Sequence, residues 1–224
     1  MYKYLKRLID IIVSLIGIIV TLPILLIAML VIKIEDPKSP VIFKQKRVGY
    51  EEKRFSIIKL RTMKVNKKTG VNEITKVGKF LRNTSIDELP QLFNILKGDM
   101  SLIGPRPWIE EYTDYFTATE RRRSEVLPGL SGLAQVRGRN GITIREKLEA
   151  DIEYVDNQSL KLDLQIFFKT IYVVLKKTNA SIKEATIQDE INYLKEKFEK
   201  ESEINNTENN ISNNSKKETA LENN

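Results

Sequence analysis

From Ile11 to Ile32 the chain carries no charged residue, and at about 22 residues this run has the length of a helix that crosses a hydrocarbon core. Any fold for the chain must give that segment an apolar place to lie. The run is too long for the apolar region of a cleaved signal peptide, and no small-x-small cleavage site follows before the charged segment. Both flanks are basic, with Lys3, Lys6 and Arg7 before the run and Lys33, Lys38, Lys44, Lys46 and Arg47 after it. Basic residues favour the cytoplasmic side of a membrane, so both ends are drawn to one face. Pro23, near the middle, removes a helix hydrogen bond and kinks the chain. Thr21 and Ser14 are placed to help satisfy the freed backbone groups. Two arrangements fit these features: a re-entrant helix that breaks at Pro23 and returns, and an ordinary kinked spanning helix. Asp10 follows Lys6 and Arg7 at helical spacing, which predicts a local ion pair near the interface.

The remaining length suits one compact domain with appendages within 224 residues. A net charge of +7 favours anionic partners such as nucleic acid, phosphorylated small molecules or lipid headgroups. The chain has no Cys and no His. Disulfides, thiolate nucleophiles and Cys-ligated zinc are therefore excluded, as are the usual general base and transition-metal ligand. An enzyme built this way works with carboxylates, Lys, Tyr, Ser or Thr, and its metal would be a hard cation held by oxygen, most simply Mg²⁺.

After the apolar run, Val41–Gln45 and Phe55–Lys59 are β-friendly and joined through Gly49, which predicts a hairpin. It is basic, carrying Lys44, Lys46, Arg47, Lys53, Arg54, Lys59 and Arg61. That is either a solvated charged face or a surface that contacts phosphate or headgroups. Residues 64–78 read as a loop, and the Gly-dense EVLPGLSGLAQVRGRNG as an irregular segment. Ile144–Val155 has helical spacing with Leu148, Ile152 and Val155 on one side. Leu164–Lys177 is amphipathic, suited to a core or an interfacial position, with core packing the favoured reading. From about Glu190 the chain becomes charged and then Asn-rich, which predicts a disordered tail.

Residues 86–107, IDELPQLFNILKGDMSLIGPRP, hold the chemistry-bearing cluster. Ser85 and Glu88 fit a capping box, and Pro90 suits an opening helical turn, so a helix beginning near Asp87 is predicted. Arg82 precedes the acids, Arg106 lies between two prolines, and Arg139 sits in a Gly-flexible turn. A helix start with Arg nearby attracts phosphate. Two adjacent acids there require a further reason, such as holding Mg²⁺ or attacking phosphorus, since carboxylates form acyl phosphates. These residues predict a membrane-anchored, metal-dependent phosphoryl-transfer site.

The motifs KRLID (6–10), FKQKRVG (43–49), FSIIKLRTM (55–63), LRNTSIDELPQLFNILKGDMSLIGPRP (81–107), PGLSGLAQVRGRN (128–140) and DIEYVDNQSLKLDLQIFFKT (151–170) resemble, in order, the small monotopic phosphoglycosyl transferases. These are bacterial sugar transferases that start polyprenol-linked glycan assembly. The resemblance covers roughly residues 1–178. It implies an α+β, mainly α fold in three parts. Residues 1–35 would form a re-entrant membrane helix-break-helix, 36–178 a cytoplasmic catalytic domain with a short β-hairpin, and 179–224 a C-terminal helix and disordered tail.

Pro23 matches the family's membrane break, with Leu22 where a small polar residue is common. Asp87 matches the family's nucleophile and Glu88 its acidic partner, with Asp87 a ligand of Mg²⁺. The implied reaction is ping-pong: Asp87 takes a phosphosugar from a UDP-sugar, releasing UMP, and passes it to undecaprenyl phosphate. Arg82, Arg106, Arg139, Lys59 and Arg61 would neutralise phosphate, and Pro105-Arg106-Pro107 would help hold the nucleotide. Leu133 and Arg137 stand where the family often has Trp and Asn, and bear on sugar choice. The implied location is the inner (cytoplasmic) membrane, catalytic domain on its cytoplasmic face, with downstream glycosyltransferases as further partners.

The rival reading is a membrane-tethered basic binding protein for nucleic acid or anionic lipid. Nucleic acid is not expected as a partner. The aromatics are not interleaved with basic residues as a stacking platform requires, and no groove-reading helix is evident.

Overall fold

The computed structural model describes residues 2–65, 72–138, 141–175 and 191–199. One helix, α1 (Tyr2–Glu35), takes up the whole apolar front end. Next come the strands β1 (Ile42–Val48) and β2 (Arg54–Leu60), paired antiparallel with Phe43 opposite Lys59 and Val48 opposite Arg54. The sequence expectation of a basic hairpin is met. The stretch 64–78, expected to be a loop, carries regular structure at its described residues, 64–65 and 72–78. Strands β3 (Met63–Val65) and β4 (Asn72–Ile74) pair antiparallel across it, and α2 (Lys76–Thr84) begins within it. The helix α3 (Gln91–Lys97) ends at Gly98, whose φ of 100° is a conformation that favours glycine.

Strand β5 (Ser101–Ile103) pairs in parallel with β6 (Gly129–Ser131), and the crossover between them contains α4 (Glu110–Thr113) and α5 (Ala118–Arg121). The segment expected to be irregular is thus a strand followed by α6 (Leu133–Gly138). Its glycines answer to packing. A Cβ on Gly129 would fall 2.1 Å from the Gly104 nitrogen, so the two backbones pair only because no side chain intervenes.

Helices α7 (Ile144–Asn157) and α8 (Leu160–Leu175) follow, and residues 191–199 form α9. In α7 the buried stripe runs through Ile144, Leu148, Asp151 and Tyr154, with Ile152 and Val155 only partly covered. The buried Asp151 hid that stripe from a hydrophobic pattern. Against the core-packing expectation, α8 buries Asp163 and Ile166 but leaves Phe168, Ile171 and Tyr172 exposed. In α9, Leu194 is buried with Tyr112, Phe116 and Leu148. The tail expected to be disordered from about Glu190 is instead helical over 191–199, where Leu194 and Ile191 pack on the domain, and the rest of it lies outside the described residues.

By length and composition α1 is the one described helix able to cross a membrane. Pro23 lies inside it, and helical residues continue on both sides, so the expected break is not a gap in helical structure. Ser14 and Thr21 donate to the carbonyls of Asp10 and Gly17, four residues earlier. Neither serves the Ile19 carbonyl that Pro23 deprives of its donor.

One face of α1 grips the domain at both ends. Near its start, Arg7 donates to the Ile95 and Leu96 carbonyls at 2.6 and 2.8 Å, at the end of α3 where cations are favoured. Lys6 pairs with Asp163, and Asp10 accepts from the Leu102 N–H at 2.9 Å. The local pairing expected of Asp10 is therefore replaced by contacts with distant elements. Towards its other end, Leu25, Ala28 and Ile32 share a buried cluster with Leu60 and Leu81. The opposite face, including Leu8, Ile16, Ile19, Val20, Ile27 and Leu30, is apolar and exposed.

Candidate active site

The acidic pair is displayed by a short chain reversal. Helix α2 starts at Thr75, whose side chain accepts from the Gly78 N–H. It packs tightly against Thr62: a Cβ on Gly78 would lie 2.0 Å from the Thr62 oxygen. Helix α2 ends at Ser85, in the left-handed region with φ 58°. A single 3₁₀ turn, Ile86–Glu88, follows. Ile86 and Leu89 pack against the cluster of Leu25, Leu60 and Leu81. The pattern apolar-acid-acid-apolar thus anchors both sides of the turn and leaves the two carboxylates facing a cleft. The predicted capping box is not formed. Ser85 makes no side-chain cap, its backbone terminates α2, and Glu88 is engaged elsewhere.

Glu88 Oε1 accepts from Lys59 Nζ and from Arg106 Nη2, each at 2.7 Å. Lys59 lies on β2, whose position α3 fixes through Asn94. That amide accepts from the Ile58 N–H at 3.1 Å and donates to the Ser56 carbonyl at 2.8 Å. Burial opposes ionisation of Glu88, yet Arg106 and Lys59 outweigh it and hold the carboxyl well below the usual range. Asp87 is buried, and no cation lies within ion-pair distance of it among the described residues. Burial and the neighbouring Glu88 charge push its carboxyl up, against the pull of Lys59 and Arg82. Arg82 Nε is held by Thr62 Oγ1 at 2.8 Å. Adjacent carboxyls displaced in opposite directions are suited to different tasks.

The loop bearing Arg106 is held from behind. Arg123 donates to the Arg106 carbonyl at 2.6 Å and pairs with Asp151 at 2.6 Å, both side chains almost fully buried. Its guanidinium lies 5.4 Å from the Trp108 ring. Val48 N–H bonds the Trp108 carbonyl at 3.1 Å, and Arg47 reaches the Pro107 carbonyl at 3.3 Å. These contacts tie the loop to β1.

A cleft of about 950 Å³ is lined by Lys59, Arg61, Arg82, Asp87, Glu88, Arg106 and Pro107 together. A family model described as Bacterial sugar transferase matches residues 1–177. The chain belongs to the bacterial sugar transferase family. It is 44% identical over 177 residues to the "Uncharacterized sugar transferase EpsL" of Bacillus subtilis, covering 76% of this chain and 87% of that protein. It is 41% identical over 191 residues to the "UDP-glucose:undecaprenyl-phosphate glucose-1-phosphate transferase" of Caulobacter vibrioides, covering 78% and 71%. It is also 42% identical over 188 residues to the "UDP-N-acetylgalactosamine-undecaprenyl-phosphate N-acetylgalactosaminephosphotransferase" of Aeromonas hydrophila, covering 78% of this chain but 44% of that longer protein.

Of the residues singled out in this sugar transferase from sequence, most meet at the cleft. Pro105 lines an adjoining recess with Arg106, Pro107 and Arg123. Pro23 is in α1, and Arg139 lies outside the described residues. Leu133 packs in the core, and Arg137 pairs with Glu153 at the surface, so neither lines the cleft. Sequence reasoning missed Thr62, Gln135 and Asp151 as cleft residues, and Arg123 as a support. Thr62, Gln135 and Asp151 lie within the FSIIKLRTM, PGLSGLAQVRGRN and DIEYVDNQSLKLDLQIFFKT motifs, but nothing in their spacing marks them.

Among the described residues no three acidic, His or Cys side chains gather as a metal cage. Mg²⁺ does not require one, because it commonly binds through one or two carboxylates plus substrate phosphates and water. Asp87, a carboxylate without a cation partner among the described residues, fits that donor set.

Proposed function

We propose that this sugar transferase moves a sugar-1-phosphate from a UDP-sugar to a membrane polyprenol phosphate, releasing UMP, as a first membrane step of glycan assembly. The names of its relatives point to undecaprenyl phosphate as acceptor. The observation that carries the mechanism is the division of labour in the acid pair. Glu88 is fixed by two cations, whereas Asp87 is buried, lacks a cation partner among the described residues and has its carboxyl raised. A carboxylate of raised basicity is the better nucleophile.

Asp87 attacks the β-phosphorus of the donor. An Oδ–P bond forms, the bridging P–O bond to the α-phosphate breaks, and UMP leaves with that electron pair. A phosphate oxygen of the polyprenol then attacks the same phosphorus, and the carboxylate of Asp87 departs unchanged. Arg106 and Lys59 hold Glu88 in place, and with Arg82 and Arg61 they surround the transferring group with positive charge. Asp87 and the donor diphosphate would hold Mg²⁺, which when bound offsets diphosphate charge and eases departure of UMP.

Helix α1 supports the membrane setting. Arg7 and Asp10 near one end and Leu25 to Ile32 near the other all grip the same domain. A straight span would put these contacts on opposite sides of a core about 30 Å thick. These contacts support a re-entrant reading of the helix, with its exposed apolar face in one leaflet and the domain on the cytoplasmic face of the cytoplasmic membrane. In the absence of acceptor, label from a UDP-sugar carrying radioactive β-phosphate should remain on the denatured protein. Asp87→Asn should abolish both labelling and UMP release, and turnover persisting in that variant overturns the nucleophile assignment.

A further inference from the structure

Gln135, on α6, lines the cleft that holds Asp87 and Glu88. Both polar atoms of its amide, Oε1 and Nε2, are buried and have no hydrogen-bond partner among the described residues. An orphaned buried amide is costly, and in a folded protein it is normally paired. Its position is constrained. A Cβ on Gly132 would fall 2.8 Å from Gln135 Oε1 and 2.1 Å from the Gly104 oxygen, which sets the amide beside the start of the loop carrying Pro105, Arg106 and Pro107.

The surroundings narrow what the amide meets. The neighbouring lining residues on β5, β6 and α6 include Ile103, Leu130 and Ala134, which offer apolar walls. The hydroxyls of Ser131 and Thr170 bond one another at 2.6 Å, and Thr170 also bonds the Ile166 carbonyl. A hexose, with a hydroxyl on most carbons, would find few partners there. A flat base with one donor beside one acceptor would fit both the walls and the amide. Paired amide-to-base contacts of this kind are a recurrent recognition geometry.

Given a UDP-sugar donor, on which this rests, we infer that Gln135 reads the uracil ring, accepting from N3–H and donating to O4. The residue then sets specificity for the nucleotide half of the donor and takes no part in phosphorus transfer.

The test uses the full chain in detergent or nanodiscs and compares wild type with Gln135→Met, which keeps side-chain length and removes both polar atoms. Inhibition by UMP should weaken roughly tenfold or more, with the KM of different UDP-sugars rising by a similar factor and kcat changing less. Inhibition by ribose 5-phosphate, which has no base, should be unchanged. Two results overturn the inference: UMP inhibition unaltered while preference among UDP-sugars shifts, or equal losses for UMP and ribose 5-phosphate. A Gln135→Glu variant, retaining one acceptor, should fall between wild type and Gln135→Met for UMP, and a loss as large as that of Gln135→Met also counts against it. Failure of the wild type to release UMP from any UDP-sugar instead sinks the proposed reaction.

Discussion

Arg123 donates to the main-chain oxygen of Arg106 at 2.6 Å, while the Arg106 guanidinium reaches Glu88 at 2.7 Å. The buried Arg123–Asp151 pair is thus linked to Glu88 through a single intervening residue, Arg106. It holds the loop that aims Arg106. Arg123→Ala leaves Asp151 buried without its cation, and should destabilise the fold by about 3–5 kcal/mol. Arg123→Lys keeps the charge but cannot hold Asp151 and the Arg106 carbonyl in the same fork geometry. It should remain folded by circular dichroism while kcat/KM for UMP release falls about tenfold.

Glu88→Gln removes the charge that Lys59 and Arg106 share. UMP release should fall by roughly a hundredfold, because both cations lose their anchor. Denaturant titration at neutral pH should show a loss of about 3 kcal/mol. The sign with pH follows from the depressed carboxyl. Its contribution is complete above the ordinary glutamate value of 4.5 and is lost as pH falls through the lower folded value. The gap between wild type and Glu88→Gln should therefore narrow only below about pH 4.5.

Asp87 carries the opposite sign. Its raised carboxyl binds a proton more tightly in the folded state, so the folded chain gains at low pH and loses that gain as pH rises. Asp87→Asn resembles the protonated form. It should abolish UMP release, by roughly a thousandfold or more, yet melt at a higher temperature than wild type at neutral pH. The acid limb of the wild-type rate should lie above the ordinary aspartate value, since attack needs the ionised carboxylate. A melting temperature below wild type in Asp87→Asn would contradict the picture of a strained nucleophile.

Much of this arrangement is legible in the chain because the chemistry is concentrated. Asp87, Glu88, Arg82 and Arg106 lie within 25 residues of one another, and the basic hairpin supplies Lys59 and Arg61. What stayed hidden depends on distant backbone contacts. The glycines at 129 and 132 look like flexibility, but they are close approaches to Gly104. Asp151 looks like a surface acid on α7, because its partner Arg123 is 28 residues away. Ser85 and Glu88 match a capping box by spacing. The left-handed backbone at Ser85 and the two cations on Glu88 override that local option. Lys6 and Arg7 likewise pass over Asp10 for Asp163 and the end of α3.

Removal of divalent cations offers an independent check on Asp87. With EDTA present, UMP release from a UDP-sugar should stop, and added Mg²⁺ should restore it, since Asp87 alone among the described acids of the cleft is free to join phosphate oxygens around a hard cation. Retention of full activity in EDTA would remove the metal from the mechanism and leave Arg106, Lys59 and Arg82 to balance the diphosphate.

The membrane disposition is open to a clean labelling experiment, because the chain has no native Cys. Single cysteines replacing Tyr2 and Pro40 bracket α1 and report which side of a sealed vesicle each end occupies. The re-entrant arrangement expects both to react with an impermeant maleimide from the same face, the one that exposes the domain. Arg7 and Asp10 bind α3 and β5 near one end, and Leu25 and Ile32 bind near the other. Labelling from opposite faces would require one of those contact sets to come apart in the membrane. A Lys at Ile19, on the exposed apolar face, separates the two arrangements further. It should weaken vesicle binding by roughly ten- to a hundredfold, at a cost of about 2.5 kcal/mol for a charge held in the leaflet, while UMP release in detergent stays near wild type.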